Sequence, residues 1–270
     1  MSPRLFLAVT AQQVRRSLAY RADFWISSTS GFVTTFGLAW CVWTAVYASA
    51  GGAEIRGWSL DAMLLYMVVV VLLGRIVRGG DLDTTISNEI YEGGLNRYLV
   101  FPVAYQPFKY AQSVGNLVPA LVQLALFCGL FLAIVGRPAD IHITPFGVLG
   151  AIAAMALGHV LYFLLGYPLE LVAFWADNVW SLSVTLRFVT SLLGGMMIPL
   201  ALFPDWAQDL LAFTPFPILF GVPAETLLGR LDPATWARHM VVALVWCVIV
   251  QRLGAWVWRR GSLRYTGVGM

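Results

Sequence analysis

Six stretches of the chain are continuously apolar: residues 24–48, 60–78, 111–135, 145–174, 179–203 and 236–258. Runs of about 20 or more apolar residues cross a bilayer as helices, whereas barrel strands would alternate over about ten. The pattern therefore predicts an all-α polytopic membrane protein with six transmembrane helices. The fourth run is too long for one straight crossing, and Gly166 and Pro168 predict a kink within "LLGYPLEL".

Three stretches break this monotony. Residues 3–22 mix Leu5, Phe6, Val9, Val14, Leu18 and Tyr20 with Arg15, Arg16 and Arg21 at roughly helical spacing. That is the pattern of an amphipathic helix lying in the membrane interface and leading into the first span at Phe24-Trp25; a basic leader that only sets topology is the plainer reading. Residues 204–235 carry five prolines yet stay apolar. Within them "DWAQDLLAF" and "AETLLGRL" predict short amphipathic helices that dip into the leaflet or cap the bundle. The third, "DTTISNEIYEGGLNRYLVFP" at 83–102, is a polar island between two greasy runs.

Composition agrees with the pattern. The 270 residues are 59% hydrophobic and 11% charged, and the mean hydropathy is +0.77. A soluble domain carries about 25% charged residues, so no ordinary water-facing surface can be built. The charges that remain set orientation. With the N-terminus inside, the inner face receives Arg4, Arg15, Arg16, Arg21, Arg75, Arg78, Arg97, Lys109, Arg187, Arg252, Arg259, Arg260 and Arg264. The outer face receives only Arg56, Arg137, Arg230 and Arg238. An excess of Lys and Arg marks the cytoplasmic side, so both termini are expected in the cytoplasm. Trp256 and Trp258 before Arg259-Arg260 form an aromatic and basic anchor at that face. The basic N-terminus lacks the short apolar core of a cleavable signal peptide.

Motifs for chemistry on this chain are missing. The only lysine, Lys109, lies between Phe108 and Tyr110, which excludes a phosphate-binding loop needing Gly-Lys-Ser/Thr. Neither G-x-S-x-G nor H-E-x-x-H occurs, and His142, His159 and His239 lie too far apart in sequence for a metal motif. Cys41, Cys128 and Cys247 each sit inside an apolar run and read as small buried hydrophobes. Asp81-Leu82-Asp83 matches the D-x-D of sugar-nucleotide enzymes, but its connection of about 32 residues is too short for such a domain. Either aspartate reads better as a cap on the helix that follows.

Polar residues within the apolar runs are costly and therefore informative. Gln112, Asn116 and Gln123 stand at i, i+4 and i+11, one face of the third run. His159 and Glu170 are eleven apart in the fourth. These residues line a substrate path or subunit contact, or they hold the bundle together by hydrogen bonds between helices. Glu170 must be paired, neutral or wet.

The island itself reads as a short helix. Ile86 and Ile90 lie at i and i+4 with Tyr91 beside them, while Ser87, Asn88, Glu89 and Glu92 take other faces. Gly93-Gly94 is a C-terminal stop, after which Leu95, Tyr98, Leu99 and Val100 form a second apolar patch. A rigid helix with acidic and apolar faces suits docking in another protein's groove; the plainer alternative is a connecting loop. The run Ile86 to Pro102, in the pattern E-x-x-x-G-G-L-x-x-Y-L-x-x-P, resembles the cytoplasmic connection of ABC type-2 permeases, the membrane subunits of ATP-driven exporters. The basic, Gly-rich tail "WRRGSLRYTGVGM" and the six-span topology are similar too.

The resemblance implies a single permease domain over residues 1–270: an interfacial helix at 1–23, a cytoplasmic coupling segment at 79–110 and extracytoplasmic helices at 204–235. It implies that Ile86, Glu89, Ile90, Tyr91, Glu92, Gly93, Gly94, Leu95 and Arg97 meet a cytosolic ABC ATPase present in two copies. ATP and Mg would be bound by that partner, with no cofactor and no catalytic residue in this chain. A second permease, identical or homologous, and membrane lipid complete the expected partners; nucleic acid is not among them. The cargo implied by the apolar outer segment and few intramembrane charges is lipid-like, amphipathic or glycan-type, moved across the inner membrane. Two other readings stand beside it: a lipid-linked transferase using Asp81, Asp83 or Glu170, and an ion-gradient transporter with Glu170 as proton carrier.

Overall fold

The computed structural model describes residues 1–19, 21–52, 54–79, 85–100, 103–136 and 138–265. Tyr20, Asp81, Asp83, Pro102, Arg137 and the tail from Thr266 lie outside the described residues, as do the side chains of Leu18, Arg21, Phe24 and Leu99. The described chain is helical: α1 Pro3–Ala19, α2 Arg21–Ser49, α3 Leu60–Arg78, α4 Thr85–Tyr91, α5 Asn96–Val100, α6 Tyr105–Gly115, α7 Leu117–Val135, α8 Pro145–Glu170, α9 Trp180–Leu193, α10 Asp205–Leu211, α11 Gly221–Leu227 and α12 Pro233–Gly261. Five segments among these residues are long and apolar enough to cross a membrane: Thr29–Ser49, Leu60–Arg78, Tyr105–Val135, Pro145–Phe174 and Pro233–Gly261.

The fifth expected crossing, at 179–203, is the exception in length. Its helix α9 has 14 residues, about 21 Å at 1.5 Å per residue and short of the ~30 Å hydrocarbon core. The chain breaks at Gly194-Gly195, where Gly195 takes φ 88° and Gly221 donates its N–H to the Gly194 carbonyl at 2.7 Å. A Cβ on Gly194 would lie 2.4 Å from the Thr190 carbonyl oxygen, so the two glycines allow the chain to fold back instead of continuing. Ile218, Leu219, Phe220, Val222 and Ala224 then bury in the main core. The proline-rich connection is thus partly an insertion into the bundle.

α3 is the central helix: 15 of its 19 residues are buried, and it packs on α2, α7 and α8. Apolar side chains point outward elsewhere, among them Val33 and Leu38 on α2, Leu126 and Leu130 on α7, and Val241 and Leu244 on α12. This inversion of a soluble core is expected of helices solvated by lipid or by another subunit. The third run is divided, since α6 ends at Gly115 and α7 begins at Leu117. Pro168, which lacks an N–H, is followed within one turn by a switch of α8 to a 3-10 helix at Leu171–Phe174.

Sidedness follows from the ties between connections. At one end Ser59, Asp140 and Arg230 join three loops: Ser59 Oγ donates to Asp140 Oδ1 at 2.9 Å and Arg230 Nη1 to Asp140 Oδ2 at 2.8 Å. Arg230 also lies over the Trp58 ring, 3.9 Å from its centroid. At the other end α1 packs along α6, α4 against the 3-10 helix, and the last turns of α12 against that same helix. Both described ends of the chain and the polar island therefore share one face of the molecule.

Candidate functional site

α4 is held from both flanks by carboxylates. Its N-terminus is met from across the fold by Glu170, the last residue of α8, whose Oε2 accepts the N–H of Ile86 at 2.8 Å and of Ser87 at 3.2 Å. A negative group on the free N–H groups of a first turn satisfies donors the helix cannot and opposes its dipole. Both contacts are a capping role, and they bind α4 to the point where α8 changes its winding.

Farther along α4, Glu89 turns inward and is nearly buried. Lys109 Nζ reaches its Oε1 at 2.6 Å, Arg97 Nη2 at 3.0 Å and the Tyr98 hydroxyl at 3.1 Å, while the Tyr105 hydroxyl donates to Oε2 at 2.6 Å. Burial pushes the Glu89 carboxyl up, but the hydrogen bonds from Lys109 and Tyr105 and the Lys109 charge outweigh it and hold it below the usual carboxylate range. Lys109 lies over the rings of Tyr98 and Tyr105, and Tyr105 stacks on Trp258 of α12 at 5.2 Å. One carboxylate thus connects α4, α5, α6 and, through Tyr105, the end of α12.

The apolar side of the island supports the same docking. Ile86, Ile90 and Leu95 bury with Tyr167, Leu171 and Val257. Gly93 turns the chain at φ 71°, a conformation that favours glycine, and the Leu95 N–H returns to the Glu89 carbonyl at 3.0 Å. The Tyr91 hydroxyl donates to the Ala176 carbonyl at 3.0 Å. Asn88, Glu92, Asn96 and Arg97 remain exposed, with Gly93 and Gly94 half-buried between the two faces.

The intramembrane polar residues do not form one stripe. Gln112 faces α1, where with Gln12, Gln13, Arg15 and Arg16 it lines an open groove. Asn116 caps α6 at the helix break, donating to the Gly79 carbonyl at 2.9 Å and accepting from Gln13 at 3.1 Å. Gln123 is buried in α7. His159 lies between Ser113 Oγ (3.2 Å) and the carbonyls of Ile76 (3.0 Å) and Val77 (3.2 Å), tying α8 to the ends of α3 and α6. Lys109, Ser113, His159 and Glu170 border a chamber of about 40 Å³ directly behind α4, room for one or two waters.

Glu89 and Glu170 were legible as unusual residues, whereas the clamp of Lys109, Tyr98 and Tyr105 was not. One signal pointed to it: a lone lysine among sixteen arginines. Among the described residues no group of His, Cys, Asp and Glu has a metal-binding arrangement.

A family model described as ABC-2 family transporter protein matches residues 33–269. No curated protein matches the chain.

Proposed function

The chain belongs to the ABC-2 family of transporter proteins, a family of membrane permease subunits without an ATP site, and from that premise we propose that it is the permease of an exporter in the bacterial inner membrane. Two copies of a cytosolic ATPase bind ATP and Mg, and a second permease, identical or homologous, completes the pathway. The face that bears α1, α4 and the chain ends is cytoplasmic. The cargo is lipid-like, amphipathic or glycan-type.

The observation that carries this reading is the two-sided character of the α4 segment. Asn88, Glu92, Asn96 and Arg97 are exposed, a surface suited to the ATPase. Ile86, Glu89, Ile90 and Leu95 face inward and carry any displacement of α4 to α6, α8 and α12. Glu89, first expected at the partner contact, takes the transmitting role, while Glu92 takes the contact.

Solubilisation in mild detergent and affinity capture of the chain test the proposal. A stoichiometric ATP-binding-cassette protein is expected, together with ATP-dependent transport in vesicles. Glu92→Arg should weaken the capture severalfold and leave the thermal unfolding of the permease unchanged. Transport that persists after every ATPase partner is removed would refute it.

A further inference from the structure

The groove between α1 and α6 has a chemistry of its own. It holds about 510 Å³, within the range of small-molecule sites. Its lining includes Arg15, Arg16, Gln12, Gln112, Val9 and Phe108, and no carboxylate is among its described lining residues. The walls are fixed, since Thr10 Oγ1 donates to the Ala111 carbonyl at 3.1 Å and Gln13 Nε2 to Asn116 Oδ1 at 3.1 Å. The two helices approach so closely that a Cβ on Gly115 would lie 2.5 Å from the Gln13 Cβ.

Arg15 and Arg16 are exposed, so neither needs a counter-charge; the ligand is indicated by what stands beside them. α1 and α6 carry Arg4, Arg15, Arg16 and Lys109 and no acidic residue, and Lys109 is engaged by Glu89. Guanidinium groups match phosphate oxygens, and the amides of Gln12 and Gln112 add N–H donors. Val9 and Phe108 give the groove an apolar side, which a free anion would not use but the glycerol and first methylenes of a lipid would. Leu5 and Leu7 stay exposed on α1, where acyl chains suit them better than water. α6 runs on into α7 as one segment, Tyr105–Val135, long and apolar enough to cross a membrane, so the groove borders a crossing helix. Basic residues in that position attract anionic headgroups.

We infer that this groove binds the head of an anionic phospholipid, with Arg15 and Arg16 on the phosphate and Val9 and Phe108 against the start of the chains. The bound lipid also reaches the clamp. Phe108 lies 5.4 Å from the Tyr98 ring, and the Tyr98 hydroxyl donates to Glu89 Oε1 at 3.1 Å, so a ligand that holds Phe108 steadies α5. That the lipid belongs to the inner leaflet rests on the exporter reading; the binding itself does not.

The full-length chain in a neutral detergent gives the test without any ATPase, so failure to capture a partner and failure to bind are read separately. The probe is dioctanoyl phosphatidylglycerol, titrated with native mass spectrometry as the readout. Saturable binding is expected, severalfold tighter than that of the phosphatidylcholine of the same chains and not displaced by glycerol 3-phosphate. The double variant Arg15→Gln with Arg16→Gln should weaken it at least about tenfold. The pair Arg252→Gln with Arg259→Gln, two exposed arginines of α12 outside the groove, should leave it unchanged. If the first variant is not monodisperse, Gln112→Leu should still cost severalfold in affinity. Hydrogen–deuterium exchange over residues 96–100 should fall when the lipid is added. Equal affinity for phosphatidylcholine overturns the anionic head, and displacement by glycerol 3-phosphate overturns the lipid. Undiminished binding to the groove variant, or an equal loss in the α12 pair, overturns the site, and unchanged exchange overturns its tie to the clamp.

Discussion

The Lys109 ammonium and the Glu89 carboxylate meet at 2.6 Å, with side chains only 5% and 11% exposed. Glu89 lies within the polar island and Lys109 on α6 just beyond it, so their contact joins the island to α6. Breaking a buried pair from one side leaves an uncompensated charge and costs about 3–5 kcal/mol. Lys109→Met is therefore expected to destabilise the permease, by less than that because Arg97 still pairs with Glu89, read as a fall in thermal unfolding temperature in detergent. Adding Glu89→Gln should recover most of the loss. If the double variant is as unstable as the single one, the pair is not the source of the effect.

The cap supplied by Glu170 is local in effect. Glu170→Gln keeps an oxygen acceptor but loses the charge at the first turn of α4, and loss of a cap costs about 0.5–2 kcal/mol. Hydrogen–deuterium exchange over residues 85–91 should rise several-fold, with the core of α3 unchanged. Under the exporter reading, ATP hydrolysis by the captured complex should continue while transport falls. Equal exchange in both proteins would show that the contact does not hold α4.

How much of this was readable in advance depends on range. Hydropathy and local spacing are properties of neighbouring residues, so the long helices, α4 and its glycine stop stood out. Glu170 and Ile86 are 84 positions apart, and their contact depends on how α8 ends, which spacing does not encode. α9 was misjudged in length for a related reason. Residues 194–203 are as apolar as a span, but the folding back at Gly194-Gly195 depends on a hydrogen bond from Gly221. The Gln112–Asn116–Gln123 stripe assumed one uninterrupted helix, and the break at Gly115 removed it.

Gly261 allows the last turn of α12 to reach the 3-10 helix. A Cβ there would lie 2.1 Å from the Phe174 ring, and Phe174 is itself in edge contact with Trp258 and Tyr265. Overpacking of this kind costs about 1–3 kcal/mol. Gly261→Ala should lower the unfolding temperature, and Phe174→Ala in the same chain should restore part of it. Two additive losses would mean that the ring and the glycine do not share the space.

Glu225, in the short helix α11 outside the membrane-spanning segments, gives the chain a pH dependence of definite sign. Burial pushes its carboxyl up to about 7 against the pull of the Arg230 charge, and its Oε1 has no hydrogen-bond partner. The unfolded group titrates near 4.5, so between these values the folded state binds more protons than the unfolded one. Stability from this group is therefore full below about 4.5, falls as pH rises towards about 7 and then levels. Glu225→Gln, which is neutral throughout, should flatten that part of the curve and raise the unfolding temperature at pH 8 relative to the native chain. Unfolding temperatures measured from pH 5 to pH 8 in one detergent decide it: parallel curves for the two proteins would place the ionisation of Glu225 below this range.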